Sequence, residues 1–293
     1  KVVKDIQKLV IREINNGSWK SSEDYTSILT LTNIYKTVKS STIENGIKRA
    51  LSTGDFGIKQ LHSNRVGVAQ VLNRLTYAAT ISHSRRVNTP IDKTGKLTEP
   101  RKLDNSTWGF LCPAETPEGQ SVGVVKNLAY MTCISGYSDS NCIHDYIMPE
   151  ITDINDDAKP MEYFHNKVKV ILNGRWLGVS EDPLELYKNL KQKKYSGFIH
   201  IYTSITFNME EKIIYIYNDA GRLVRPVYKI ENNKLCITPS IINKIKTGEL
   251  EWNDLLLSHK NENSVIEYID SEEQKFGMIC MNENNIDPRY NYT

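Results

Sequence analysis

The sequence predicts an α+β chain built from several small domains, and three observations carry that expectation. Val3, Ile6, Val10 and Ile14 recur at helical spacing near the start, whereas from about Tyr137 the apolar and aromatic residues fall into short runs broken by turn signals. The third is length, since 293 residues exceed what one hydrophobic core ordinarily serves. A composition 39% hydrophobic and 25% charged is that of a globular protein. Neither a signal peptide nor an apolar run long enough to cross a bilayer is present, so an intracellular protein with no membrane partner is expected. Cys112, Cys133, Cys142, Cys236 and Cys280 are odd in number, widely spaced and without a Cys-x-x-Cys pair, which argues against a disulfide framework and a zinc site. The opening Lys1 and the end at Thr293 read as those of an excerpt.

Taken in order, the first helix stops near Asn15-Asn16-Gly17. Ser41 and Glu44 have capping-box spacing ahead of Ile43, Ile47 and Leu51, which predicts a second helix. Between Asn64 and Ser82 the residues Val68, Val71, Leu72, Leu75 and Ala79 line one helical face, with Arg65, Gln70, Asn73 and Arg74 elsewhere. Asn88 to Lys96 carries Pro90 and Gly95 and predicts an exposed basic loop. Val168 to Trp176 reads as strands about an Asn173-Gly174 hairpin turn, Asp182-Pro183 opens a helix with Glu185 in its first turn, and Ile201–Asn208 pairs with Ile213–Tyr217 across Met209 to Lys212. Asn218 to Gly221 is a further turn, Thr238-Pro239 starts another helix, and Val265 to Met281 reads as strand.

Net charge is only +2, but it is unevenly spread. From Arg65 to Lys102 there are eight Lys or Arg against two acids, and from Glu249 to Thr293 ten acids against three bases. From charge alone the basic stretch is read first as a solvated face. His62 and His83 have no Cys, Asp or Ser pattern around them that completes a site, and Asp153, Asp156 and Asp157 lack calcium-loop spacing. Asp55-Phe56-Gly57 lacks the other kinase motifs, and Gly95-Lys96 lacks the remainder of a phosphate-cradling loop. The tyrosines from Tyr202 to Tyr217 are expected in the core and on the sheet surface.

One constellation is far more specific. Ser84-Arg85-Arg86-Val87-Asn88-Thr89-Pro90 is followed by Pro100-Arg101-Lys102-Leu103, Trp108-Gly109, the run from Cys112 through Pro113-Ala114-Glu115-Thr116-Pro117-Glu118-Gly119 to Gln120, and Val125-Lys126-Asn127-Leu128. This set resembles the fork region of the second-largest subunit of multisubunit DNA-dependent RNA polymerases, of the archaeal, eukaryotic and large-DNA-virus type. Arg65 to Arg74 is similar to the start of that region. Leu172 to Gly178, Asp219 to Arg222 with Arg225-Pro226, and Ile266 to Glu273 resemble markers of the two external domains that follow it.

The resemblance implies a multidomain polymerase-subunit fragment: a mixed helix/strand fork followed by small α/β external domains. The implied divisions are the end of a protrusion-like domain at 1–60, the fork at 61–136, external domains at 137–230 and 231–282, and the start of a hybrid-binding region at 283–293. It implies DNA-templated transcription, with this chain as one wall of the active centre and inactive alone. Partners would be the largest and other polymerase subunits, template DNA, the RNA–DNA hybrid and nucleoside triphosphates, with catalytic Mg2+ held by the largest subunit and none bound here. Arg65, Gln70, Arg74, Arg85, Arg86, Lys93, Lys96, Arg101 and Lys102 are the expected nucleic-acid contacts. Glu118 and Gln120 take a supporting role near the active centre. The implied location is the nucleus, or a virion or cytoplasmic virus factory. The rival reading is a stand-alone nucleic-acid-binding or protein-interaction module with a borrowed fold.

Overall fold

The computed structural model describes residues 2–17, 30–54, 69–91, 93–95, 97–155, 159–258 and 264–293. Its contacts divide the chain into two units, Lys1–Ser84 and Arg85–Thr293.

The first unit is helical. α1 (Val2–Asn15) ends as expected, with Gly17 at φ +69°. α2 (Leu31–Thr37), which apolar spacing had not shown, is capped by Thr30, whose hydroxyl accepts from Asn33 N. α3 (Ser40–Thr53) lies where the second helix was expected, but the capping box does not form. Ser41 falls inside the helix and Glu44 pairs with Lys48 at 2.7 Å instead. Of the helix expected over Asn64–Ser82, residues 64–68 lie outside the described residues, 69–76 are not helical, and α4 runs over Tyr77–Ser84. The reason is local: Asn73 Oδ1 accepts from Leu75 N and Thr76 Oγ1 accepts from Ala79 N, so an Asx turn and a threonine cap fix the start after Leu75. Val71 and Leu75 are consequently exposed. His83 has a structural place, with Nδ1 accepting from Asn73 N and Nε2 on Gln70 Oε1.

The second unit opens with β1 (Arg86–Asn88), which pairs antiparallel with β2 (Val125–Asn127), and β3 (Cys133–Ile134) follows. After α5 (Asn141–Ile147), β4 (Thr152–Asp153) and α6 (Met161–His165) come β5 (Val168–Leu172) and β6 (Arg175–Ser180), joined by the expected turn with Asn173 at φ +47° and Gly174 at +81°. α7 (Pro183–Tyr195) crosses to β7 (Ser204–Asn208), which pairs antiparallel with β8 (Ile213–Tyr217). The five strands lie in the order β4-β6-β5-β8-β7, with only β5 and β8 parallel. Leu186 and Leu190 of α7 pack into one core with Val170, Ile205, Ile214 and Ile216. Pro183 occupies the first turn of α7, but the Asp182 side chain makes no capping bond.

The chain then runs through β9 (Leu223–Tyr228), β10 (Ile230–Glu231), β11 (Lys234–Leu235), α8 (Pro239–Thr247), α9 (Trp252–Leu256), β12 (Ile266–Asp270) and α10 (Ser271–Phe276). β9 is the centre of a three-stranded sheet, order β12-β9-β3, so it ties residues just after the fork motif to the C-terminal part. The strand expected over Val265–Met281 is therefore only β12, and α10 replaces its second half. Asp270 stops the strand by accepting from Glu273 N at 2.8 Å as a helix N-cap. Its other oxygen pairs with Arg222 at 2.9 Å.

α7 is fastened to β12 and α10 by a buried ionic cluster. Glu267 accepts from Lys191 Nζ (2.6 Å), Lys194 Nζ (2.9 Å), Tyr195 Oη (2.8 Å) and Tyr292 Oη (3.0 Å), and Lys191 also pairs with Glu273. Buried ions persist only when matched and hydrogen-bonded. Despite burial, the two lysines hold the Glu267 carboxyl well below the usual carboxylate range. Burial pushes Glu273 up. Glu267→Gln leaves two lysines facing one carboxylate, and the expected loss is about 3–5 kcal/mol in urea unfolding. Because the folded pKa is depressed, the Glu267 contribution is full above its unfolded value of 4.5 and fades as pH falls toward the folded one. The gap between parent and variant should therefore narrow in acid, and a gap that widens contradicts this account.

Candidate nucleic-acid interface

β1 and β2 bring residues about forty apart in sequence into register, Arg86 opposite Asn127 and Asn88 opposite Val125. The ladder continues on both sides: Thr89 N donates to Val124 O, Leu128 N to Arg85 O, and Cys112 N to Asn127 O. β2 thus lies between the start of the basic loop and the segment that leads into the Pro-Glu-Gly turn. Thr116 pins that turn to β2, its hydroxyl donating to Val125 O (3.0 Å) and accepting from Gly123 N (2.9 Å). Gly119 at φ +77° starts the short 3-10 turn Gly119–Ser121, with Glu118 as the exposed residue before it.

Arg101 joins the two segments. Its Nε donates to Leu97 O (3.1 Å), one terminal nitrogen to Gln120 O (2.7 Å) and Val122 O (2.8 Å), and the other to Lys93 O (3.0 Å) and Gly95 O (3.3 Å). All five N–H groups of the guanidinium are committed to backbone carbonyls, three from the basic loop and two from the Pro-Glu-Gly turn. The backbone of Arg101 lies equally close, since a Cβ on Gly123 would come within 2.3 Å of Arg101 O, and Gly123 sits at φ +68°. Arg85 is used in the same way, one terminal nitrogen donating to Ala129 O (2.6 Å), Tyr130 O (3.2 Å) and Thr132 O (2.9 Å). Farther along, Arg225 fills the space over Gly109, faces the Phe110 ring at 5.7 Å and donates to Gln274 Oε1 at 2.8 Å. Burial lowers its guanidinium below the ordinary arginine value.

The outward charge is what remains. Arg86 is exposed and Lys93 half-buried, and neither side chain has a hydrogen-bond partner among the described residues. Lys102 is exposed and shares its ammonium with Glu99 at 2.6 Å. Glu118 and Gln120 are exposed on the facing turn.

Three family descriptions match this chain in succession: RNA polymerase Rpb2, domain 3, over residues 70–134; domain 4 over 170–231; and domain 5 over 252–293. The chain belongs to the family of second-largest RNA polymerase subunits. It is 42% identical over 258 residues to the DNA-directed RNA polymerase II subunit RPB2 of Encephalitozoon cuniculi, covering 85% of this chain and 22% of that protein. It is 39% identical over 277 residues to the Schizosaccharomyces pombe protein of the same name, covering 87% and 22%. With DNA-directed RNA polymerase subunit 2 of Acanthamoeba polyphaga mimivirus the identity is 35% over 254 residues, covering 85% and 20%. The chain thus spans about a fifth of the length of these Rpb2-family relatives.

Of the site residues expected from sequence, the Rpb2-like fold brings Arg85, Arg86, Lys93, Arg101, Lys102, Glu118 and Gln120 into the second unit. Gln70 and Arg74 belong to the first unit, with Gln70 engaged by His83 and Arg74 exposed. Arg65 and Lys96 lie outside the described residues, as do His62, Asp156, Asp157 and the Asp55-Phe56-Gly57 decoy. The expectation changes for Arg85 and Arg101, whose donors hold the fold together. Sequence reasoning missed the structural roles of Thr116 and Gly123, because both depend on β2 returning beneath the Pro-Glu-Gly run, which no local signal shows.

Thr116→Val removes both hydroxyl bonds and is expected to cost about 1–3 kcal/mol. Gly123→Ala is expected to cost at least the ~1–2 kcal/mol of a left-handed non-glycine residue. Urea midpoints equal to that of the parent protein would refute the packing of this turn on β2.

Proposed function

We propose that this chain is the fork-bearing part of the second-largest subunit of a DNA-directed RNA polymerase, a nucleotidyltransferase that makes RNA on a DNA template. In that assembly the lip formed by residues 86–102 and 113–122 is one wall of the active centre. It lies against template DNA and the RNA–DNA hybrid, beside the largest subunit and incoming nucleoside triphosphates. The observation that carries the reading is the Arg101 tie, which makes the basic loop and the Pro-Glu-Gly turn a single body. A rigid lip with cations outward and carboxylate opposite suits a wall that neutralises phosphates without reading bases.

Arg86, Lys93 and Lys102 are the phosphate contacts in this proposal, and Arg85 and Arg101 set their positions. Glu118 and Gln120 line the side nearer the reacting centre and support the elements that close there. No residue of this chain is assigned to Mg2+ in this proposal. In this reading the largest subunit holds that ion, which stabilises the attacking and leaving oxygens. The external domains, buttressed by the Glu267 cluster, carry contacts to other subunits. Two of the relatives are RNA polymerase II subunits and the third is a viral one, which favours a nuclear enzyme or one of a virion or virus factory.

In the assembled enzyme, Arg86→Ala should flatten the log–log salt dependence of template retention by about 0.9, the slope of one phosphate contact. A slope equal to that of the parent enzyme refutes contact by Arg86. Glu118→Ala should slow nucleotide addition while leaving subunit assembly intact. Equal elongation rates remove that role.

A further inference from the structure

Two locally costly choices meet just ahead of the Pro-Glu-Gly run. Gly109 sits at φ +79°, and a Cβ there would come within 2.6 Å of Arg225 Cζ and Nε, so the left-handed glycine makes room for the guanidinium. Arg225, on β9, is half-buried, and no carboxylate pairs with it among the described residues. Its Nε donates to the neutral Gln274 Oε1 at 2.8 Å, and its terminal nitrogens have no hydrogen-bond partner there. The Phe110 ring at 5.7 Å offsets only part of the cost of burying that charge. A cation desolvated without a counter-ion does not favour folding. Departures from local preference gathered at one point mark a constraint other than stability.

What the guanidinium holds is the approach to that run. Gln274 passes the contact on, its Nε2 donating to Trp108 O at 3.1 Å, and Thr132 Oγ1 donates to Gly109 O at 2.9 Å. Phe110 is buried, and from it the chain runs along β2. Ala129 N donates to Phe110 O (2.9 Å), Leu111 bridges Leu128, and Cys112 N donates to Asn127 O (2.8 Å). Asn127 then holds Glu115 O through Nδ2 at 3.2 Å, while its own buried Oδ1 has no partner among the described residues. A third unfavourable choice therefore lies on the same path, directly under the turn that carries Glu118.

We propose that Arg225, together with Gln274, is a positioning residue for nucleotide addition: it fixes the register in which residues 110–112 meet β2, and so where Glu118 stands. This rests on the polymerase reading above, but the family match does not supply it. The guanidinium touches neither nucleic acid nor nucleotide in this role. Its plane lies over Gly109 and faces Phe110, a fit that depends on shape as well as charge, so an ammonium does not replace it.

The test is a double-mutant cycle in the assembled polymerase, reading the pre-steady-state rate of single-nucleotide addition per elongation complex. Arg225→Lys should slow addition by up to about 10²-fold, which is what misplacement by an ångström can cost. In a Glu118→Ala enzyme, already slow, the same substitution should cost no more than about twofold further, because the residue it positions is gone. Gln274→Ala, a milder cut in the same link, should show the same dependence on Glu118. An unchanged rate in both variants, or equal slowing with and without Glu118, overturns this inference alone. Failure of both variants to assemble makes the pair a stability device and overturns it too. A Glu118→Ala enzyme as fast as the parent refutes the functional reading of that turn, and this inference with it.

Discussion

The guanidinium of Arg101 donates to the carbonyls of Lys93, Gly95 and Leu97 on one side and to those of Gln120 and Val122 on the other. Neither segment has a regular ladder of its own at these positions, so without that planar fork several backbone acceptors would lack partners. An ammonium has three donors in a tetrahedral arrangement and cannot serve five carbonyls spread around a plane. The positions of Lys93 and Lys102 follow from this constraint, because both are carried on backbone that Arg101 holds, whereas Arg86 is placed by the β1–β2 ladder.

The lip rests on β2, and β2 is tied to the remainder of the second unit at its far end. Arg85 closes the chain leaving β2 through Ala129 and Thr132, β3 begins at Cys133, and β9 joins β3 to β12. β12 then carries Glu267 and Asp270, whose bonds to α7, Ser204 and Arg222 bring the five-stranded sheet into the same body. A continuous series of ladders and matched charges therefore connects the lip proposed to meet nucleic acid to the surfaces proposed to meet other subunits. Such a path transmits position because its members are paired, not because any one bond is strong.

Signals confined to a few residues were legible in the sequence. Asn173-Gly174 signalled a tight turn, Asp182-Pro183 and Thr238-Pro239 signalled helix starts, and Asn15-Asn16-Gly17 signalled a helix end. What failed were signals that compete locally or act at long range. Apolar spacing through Val71 and Leu75 suggested helix, but Asn73 and Thr76 offered the backbone nearer partners. Ile266 to Asp270 is strand, and the Asp270-Ser271-Glu272-Glu273 cap that ends it was readable but was masked by the β-rich residues before it. Arg101 was the more instructive case. A cation beside a conspicuous motif reads as a phosphate contact, and nothing local reveals that its donors are consumed by carbonyls nineteen and twenty-one positions ahead. The charge was visible, but its direction was not.

Hydrogen–deuterium exchange on Arg101→Lys, compared with the parent protein, tests the coupling most directly. The account predicts that amides of residues 93–97 and 119–124 lose protection together while those of β5, β6 and β8 are unchanged, since the lysine keeps the charge and loses the fork. Loss confined to one of the two segments, or protection retained in both, would contradict it.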